Sequence, residues 1–160
     1  MTNPVEYIRK LNFPKIPDNL IPNFESSEDL ETFIKTNKDV RSSFWTNQQN
    51  EDLNEWCQSN VCDSAYFGFT ISNGQDIHKD IGTAGSGVVQ AARLLYPVKL
   101  GGENIKTYFW ADDKETILKE YVLETKCWYL LASQTYHSVD HVPEGQYRLL
   151  VTAQLLHKSI

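Results

Sequence analysis

The hydrophobic rhythm of the chain changes once along its length. Through the first quarter, apolar residues (Ile8, Leu11, Phe13, Ile16, Leu20, Ile21, Phe24) are scattered among Pro4, Pro14, Pro17 and Pro22. Proline fixes φ and removes a backbone donor, so this stretch predicts an extended strap laid over a body built by later residues. Ser26, with Glu28 and Asp29 close behind it, is a helix start, and Leu30, Phe33 and Ile34 follow at helical spacing to about residue 37. Leu53, Trp56 and Cys57 repeat that spacing and predict a second short helix over residues 50–59. From residue 65 the period shortens. β-rich runs at 65–72, 88–99, 105–111, 116–123, 127–133, 136–139 and 147–155 are broken by Asn73-Gly74, Gly82 through Gly87, Gly101-Gly102, Asp112-Asp113, Glu124-Thr125 and Pro143-Glu144-Gly145. Many short strands after a small helical section predict a mainly β fold with N-terminal helices, a sandwich or jelly roll. The expected layout is a single domain over residues 1–160, with a strap and helical buttress at 1–64 and the β core at 65–156.

Composition narrows the partners. With 41% apolar and 12% aromatic residues in 160, there is material for one sizeable core. The 15 basic against 21 acidic side chains give a net charge of −6, which argues against nucleic-acid phosphates or anionic lipid as partners. No apolar run approaches a membrane span, and Met1 to Glu6 offer neither the basic head nor the apolar stretch of a signal peptide. Cys57, Cys62 and Cys127 form no C-x-x-C pair, and no second ligand pair completes a zinc site with the first two. The odd count fits a reducing compartment, so a cytoplasmic protein is expected.

Candidate chemistry gathers around two short segments. In Gln75-Asp76-Ile77-His78-Lys79-Asp80, an extended backbone points His78 and Asp80 the same way, so that they can grip one ion together. In Tyr136 through Arg148, Pro143-Glu144 suits the centre of a β-turn. A tight hairpin on that turn would set Val139 opposite Arg148 and make His137 and Arg148 diagonal neighbours, roughly 7–8 Å apart at Cβ. His141 falls beside the turn, nearer a rim than a pocket. Arg148 opens the apolar run Arg148-Leu149-Leu150-Val151-Thr152-Ala153, where an inward guanidinium needs an anion, either an acidic side chain or a carboxylate ligand. Arg93, within the apolar run 88–98, has the same two readings: a structural ion pair or a contact to a substrate anion. Residues 82–87 lack the Gly-Lys-Ser/Thr ending of a phosphate cradle and read as a loop beside the site. Two imidazoles and one carboxylate on one face of a metal leave three positions open, the arrangement suited to non-haem Fe(II) oxygen chemistry.

In the order H-x-D (His78, Asp80), a distal His roughly fifty or more residues on (His137), and Arg about ten residues later (Arg148), the chain resembles the Fe(II)/2-oxoglutarate-dependent dioxygenases. The likeness is closest to the small prolyl-hydroxylase-like members. Leu100-Gly101-Gly102-Glu103 is similar to that family's G-G-E turn, and His137-Ser138-Val139 to its H-x-V segment. The resemblance implies a double-stranded β-helix (a form of jelly roll), with Fe(II) on His78, Asp80 and His137 and 2-oxoglutarate on Arg148. It implies hydroxylation of a peptide side chain or small molecule with O2 as co-substrate, releasing succinate and CO2. Many members place a hydroxyl two residues after the arginine; here Leu150 stands there, and Thr152 is the nearest hydroxyl on that face. Tyr66, Thr70, Tyr96 and Tyr108 are candidates for a further contact to the keto acid, with Tyr108 and Thr152 placed beside Arg148 in the expected cofactor site. Two other readings stay open: a jelly-roll binding module without turnover, and a cupin-like metal enzyme with no keto-acid co-substrate.

Overall fold

The computed structural model describes residues 6–21, 45–80, 88–143 and 145–158. The chain is mostly β, with ten strands among the described residues: β1 (Ile8–Leu11), β2 (Trp45–Gln49), β3 (Phe67–Ser72), β4 (Gln75–His78), β5 (Val88–Lys99), β6 (Lys106–Trp110), β7 (Ile117–Val122), β8 (Trp128–Leu131), β9 (Tyr136–Val139) and β10 (Arg148–Lys158). Among the described residues there is one α-helix, α1 (Glu51–Asn60), and one 3-10 turn (Asp18–Leu20). The helix expected over residues 26–37 and the loop of residues 82–87 lie outside the described residues. No described helix is long and apolar enough to cross a membrane.

The strands form two antiparallel sheets. The larger runs β1-β8-β5-β10-β3-β2 and the smaller β4-β9-β6-β7. Side-chain alternation makes the larger sheet two-faced. Along β10, Leu149, Val151 and Ala153 join Phe67, Phe69, Ile71, Tyr96 and Trp128 in one buried cluster, which Ile16 of the strap and Leu53 and Cys57 of α1 cover. The opposite face carries Leu95, Leu131 and Leu150, which pack on Phe109 and Leu123 from the smaller sheet's side. The order of layers is therefore helix and strap, larger sheet, smaller sheet.

Local chemistry fixes these pieces. Asn50 caps α1 by accepting the Leu53 N–H at 3.0 Å, with Glu51 and Asp52 in the first turn, where the helix dipole favours them. Asn54 accepts the Phe67 N–H at 2.8 Å and so ties α1 to β3. The strap is held by β1 on the edge of β8 and by the Trp128 indole, which donates to the Pro14 carbonyl at 2.9 Å. Pro97 sits in β5 where the register with β10 shifts between Leu149 and Leu150, a place where a residue without an N–H is tolerated.

The expected hairpin between residues 136–139 and 147–155 does not form. β9 pairs with β4 and β6, whereas β10 pairs with β3 and β5 in the other sheet. The intervening segment does turn, with the Gln146 N–H on the Pro143 carbonyl at 3.0 Å. The Val142 N–H, however, bonds to the Asn73 carbonyl at 2.8 Å, and Arg148 pairs with Ser72, so the chain crosses between sheets there.

Candidate metal centre

His78 ends β4 directly opposite His137 of β9, and their rings lie 4.3 Å apart between centroids. Asp80 follows two residues later. Its N–H bonds the Ser133 carbonyl at 3.0 Å and its carbonyl accepts the Gln134 amide at 2.9 Å, which anchors it to the β8–β9 turn. One ligand atom from each of His78, Asp80 and His137 lies within 4.8 Å of the others, and this is the one such cluster among the described residues.

The hydrogen bonds around the two rings settle what they present. His78 Nδ1 lies 2.6 Å from the Asp76 carbonyl and His137 Nδ1 lies 2.7 Å from the Thr135 carbonyl. A carbonyl can only accept, so each Nδ1 carries the proton and each Nε2 offers a lone pair. Both lone pairs face Asp80 Oδ1, at 3.3 Å from His78 and 3.7 Å from His137. Three acceptors turned towards one point repel unless a proton or cation sits among them. The pKa shifts follow from this crowding. Burial opposes charge on His78, but Asp80 and the Asp76 carbonyl outweigh it and hold that imidazole above its ordinary value. His137 is only 3% exposed, and burial pushes it below its ordinary value in spite of the Thr135 carbonyl and Asp80. Burial would raise Asp80, yet the His78 hydrogen bond and the charges of Arg93 and His137 keep it low. The donor set fits a divalent cation, with one carboxylate oxygen and two neutral imidazoles.

Arg93 on β5 takes the other carboxylate oxygen, Nε to Asp80 Oδ2 at 3.1 Å. The structural ion pair expected of Arg93 is therefore present, with one of the expected metal ligands as its partner. Arg148, at the start of β10, is 3% exposed. Its closest polar contact is the Leu100 carbonyl, 3.4 Å from Nη1, and no acidic side chain of the described residues lies within ion-pair distance. Burial pulls its pKa down to about 10, with the more distant Asp140 charge opposing, so it stays a cation at neutral pH. Asp80, His137, Arg93 and Arg148 all line one small cavity of ≈ 50 Å³ between the sheets. The same wall carries Thr70 and Thr152, whose hydroxyls bond each other at 2.8 Å.

His137 and Arg148 thus meet across the gap between two sheets and not along one hairpin. Tyr108 is a correction: it pairs with Ser138 on β9, whereas Thr107 and Phe109 pair with Val139 and His137. Alternation turns Tyr108 to the outer face, where its hydroxyl lies 3.5 Å from Asp140 Oδ2. Tyr96 is buried in the cluster under α1, and Tyr66 is exposed with its hydroxyl on Glu51. Of the four candidates for an extra keto-acid contact, Thr70 alone reaches the cavity. His141 is exposed, does not line the cavity, and pairs with Asp76 at 3.2 Å. Leu150 lines the cavity where a hydroxyl was sought. Thr107 and Ser72 also line it and were missed; alternation on an inward strand is the only signal they carried.

No protein-family model matches the chain, and no curated protein matches its sequence. Among solved structures it is similar to the viral collagen prolyl hydroxylase vCPH from Paramecium bursaria Chlorella virus-1. Against that protein's complex with 2OG the TM-score is 0.47 and the identity 14%, covering 97% of each chain. Against a truncated form the TM-score is 0.44 and the identity 13%, covering 97% of this chain and 90% of the other.

Proposed function

We propose that this chain is a non-haem Fe(II)- and 2-oxoglutarate-dependent oxygenase acting on a peptide side chain or a small molecule. The observation that carries the reading is the buried guanidinium of Arg148, with no carboxylate of the described residues within ion-pair distance, in the wall of the cavity that Asp80 and His137 of the converging triad also line. A buried cation without a counter-anion is costly, and a dicarboxylate guest supplies one. In this reading His78, Asp80 and His137 hold the iron and Arg148 binds the far carboxylate of 2-oxoglutarate. The Thr70–Thr152 hydroxyl pair lies within the same wall to donate to that carboxylate in place of the side chain absent at Leu150. Iron bound there would supply the activation of O2 that couples conversion of 2-oxoglutarate to succinate and CO2 with conversion of a substrate C–H to C–OH. The protein's share is to fix both imidazole tautomers through the Asp76 and Thr135 carbonyls, to hold Asp80, and to keep bulk water from a narrow, Leu-lined cavity.

The strand orders β3-β10-β5-β8 and β4-β9-β6-β7 support a double-stranded β-helix core within one domain, with β1 and β2 added at the edges of the larger sheet. Three free thiols fit a cytoplasmic setting. The test is Fe(II)-dependent formation of succinate from 2-oxoglutarate. Wild-type protein should give slow, substrate-independent turnover, and His137→Ala none. Undiminished turnover in His137→Ala would overturn the ligand set. The apolar Leu150 in the cavity wall favours one competing reading, a binding module, which predicts 2-oxoglutarate binding with no succinate under any condition.

A further inference from the structure

Beside the small cavity, and sharing Arg93 and Thr152 with it, lies an open cleft of ≈ 450 Å³. Its floor is the inner face of the larger sheet. Thr152 lies opposite Gly68, Gly68 opposite Gln49, and Gln154 opposite Arg93, while Tyr66 continues the Gly68 side of β3. Gly68 carries no side chain and leaves the floor open between Gln49 and Thr152. The amides and hydroxyls here are neutral donors and acceptors. Arg93 is the single charged group on the cleft among its described lining residues. Glu51, nearby, already accepts the Tyr66 hydroxyl at 2.8 Å.

Charge decides what this cleft suits. The charged side chains lining cleft and cavity among the described residues are Arg93, Arg148 and Asp80, an excess of one positive charge with the imidazoles neutral. A divalent cation and a dicarboxylate, added together, leave that excess unchanged. Arg148 is taken by the dicarboxylate, so the remaining charge resides at Arg93, where its side chain is 20% exposed. A guanidinium has five donors in a rigid plane, and the contact of Nε with Asp80 leaves Nη donors for a second acceptor.

We propose that the cleft is the substrate site and that Arg93 selects a substrate bearing a carboxylate, gripping it through Nη while Nε steadies Asp80. This rests on the oxygenase reading above. A substrate anchored at Arg93 presents the carbons near its carboxylate to the triad, because the same guanidinium touches Asp80. The Gln49 amide accommodates the neutral remainder of the molecule.

The experiment compares matched probes, a series of N-acetyl amino acids and their primary amides, binding to protein loaded with Zn(II) and 2-oxoglutarate, followed by saturation-transfer NMR. The acids should bind about tenfold more tightly than the amides, as expected for one charge-assisted bidentate contact. That preference should vanish in Arg93→Gln and return in part in Arg93→Lys. Since Arg93→Gln also loosens Asp80, Gln154→Glu serves as a second variant. It sets a carboxylate opposite Arg93 on an exposed position and should abolish the preference while Zn(II) affinity by calorimetry stays unchanged. Equal binding of acids and amides overturns the proposal, as does a preference that survives both Arg93→Gln and Gln154→Glu, or failure of every acid to bind at millimolar concentration. If calorimetry shows no uptake of Zn(II) or 2-oxoglutarate, the oxygenase reading fails separately, and the acid–amide comparison on metal-free protein still judges Arg93.

Discussion

Arg148 sets a conflict at the level of single residues between stability and binding. Its guanidinium is buried against a carbonyl with no carboxylate of the described residues within ion-pair distance, so in the unliganded protein it costs free energy that an apolar isostere would not. Arg148→Met should therefore leave the melting temperature of unliganded protein unchanged or higher, while weakening 2-oxoglutarate binding roughly 30-fold or more. Calorimetry on the two proteins measures both; a clear drop in unliganded stability would show that Arg148 is structural. Cys57 offers an independent check on the layers. Burial pushes its thiol up to about 12, so it should resist alkylation in the native protein under conditions where the half-buried Cys62 and Cys127 react, read by mass spectrometry before and after denaturation. His78 and Asp80 were legible in the sequence as an H-x-D pair whose side chains an extended backbone turns the same way. The tautomer-fixing carbonyls of Asp76 and Thr135 were not, since a backbone acceptor leaves no trace in residue identity.

At the level of elements, two close approaches hold the site's strands in register. Gly74, in the β3–β4 turn, has φ of +126°, and a Cβ there would fall 2.6 Å from the Asp140 carbonyl oxygen and 2.9 Å from His141 Cα. Gly74→Ala should push the turn off the end of β9, cost about 1–3 kcal/mol in chemical denaturation and lower metal affinity, because the β4–β9 pairing sets His78 against His137. Asn54→Ala on α1 leaves the buried Phe67 N–H without an acceptor and should cost about 1–3 kcal/mol, with metal affinity little changed because α1 lies behind the sheet. Denaturation and Zn(II) calorimetry on both variants separate the two effects. Residues 88–99 and 136–139 were read from the sequence with the same bounds that the structure has, since alternation and Gly or Asp breaks flank them. β1, β2 and β4 were not read as strands. β1 is an edge strand of four residues, two of them charged, and β2 runs Trp-Thr-Asn-Gln-Gln with no apolar alternation to announce it.

Across the whole molecule, the sequence's local logic reached the right neighbours by a wrong route. Proximity of His137 and Arg148 was inferred from a hairpin, yet the chain carries the two residues on different sheets and closes the distance by stacking one sheet on the other. Strand pairing over long separations is invisible to a turn rule: Arg148 meets Ser72, and Gln154 meets Arg93, through contacts no local pattern encodes. The same stacking brings His78 and His137 of the smaller sheet, with Asp80 beside them, to face Arg93 and Arg148 of the larger sheet, next to an open cleft. The most direct test of that arrangement is anaerobic titration of the protein with Fe(II) and 2-oxoglutarate, followed by visible absorption. A weak charge-transfer band should appear only when both are present, and should be absent in His137→Ala. No band in the wild type, or an equal band in the variant, would contradict the account.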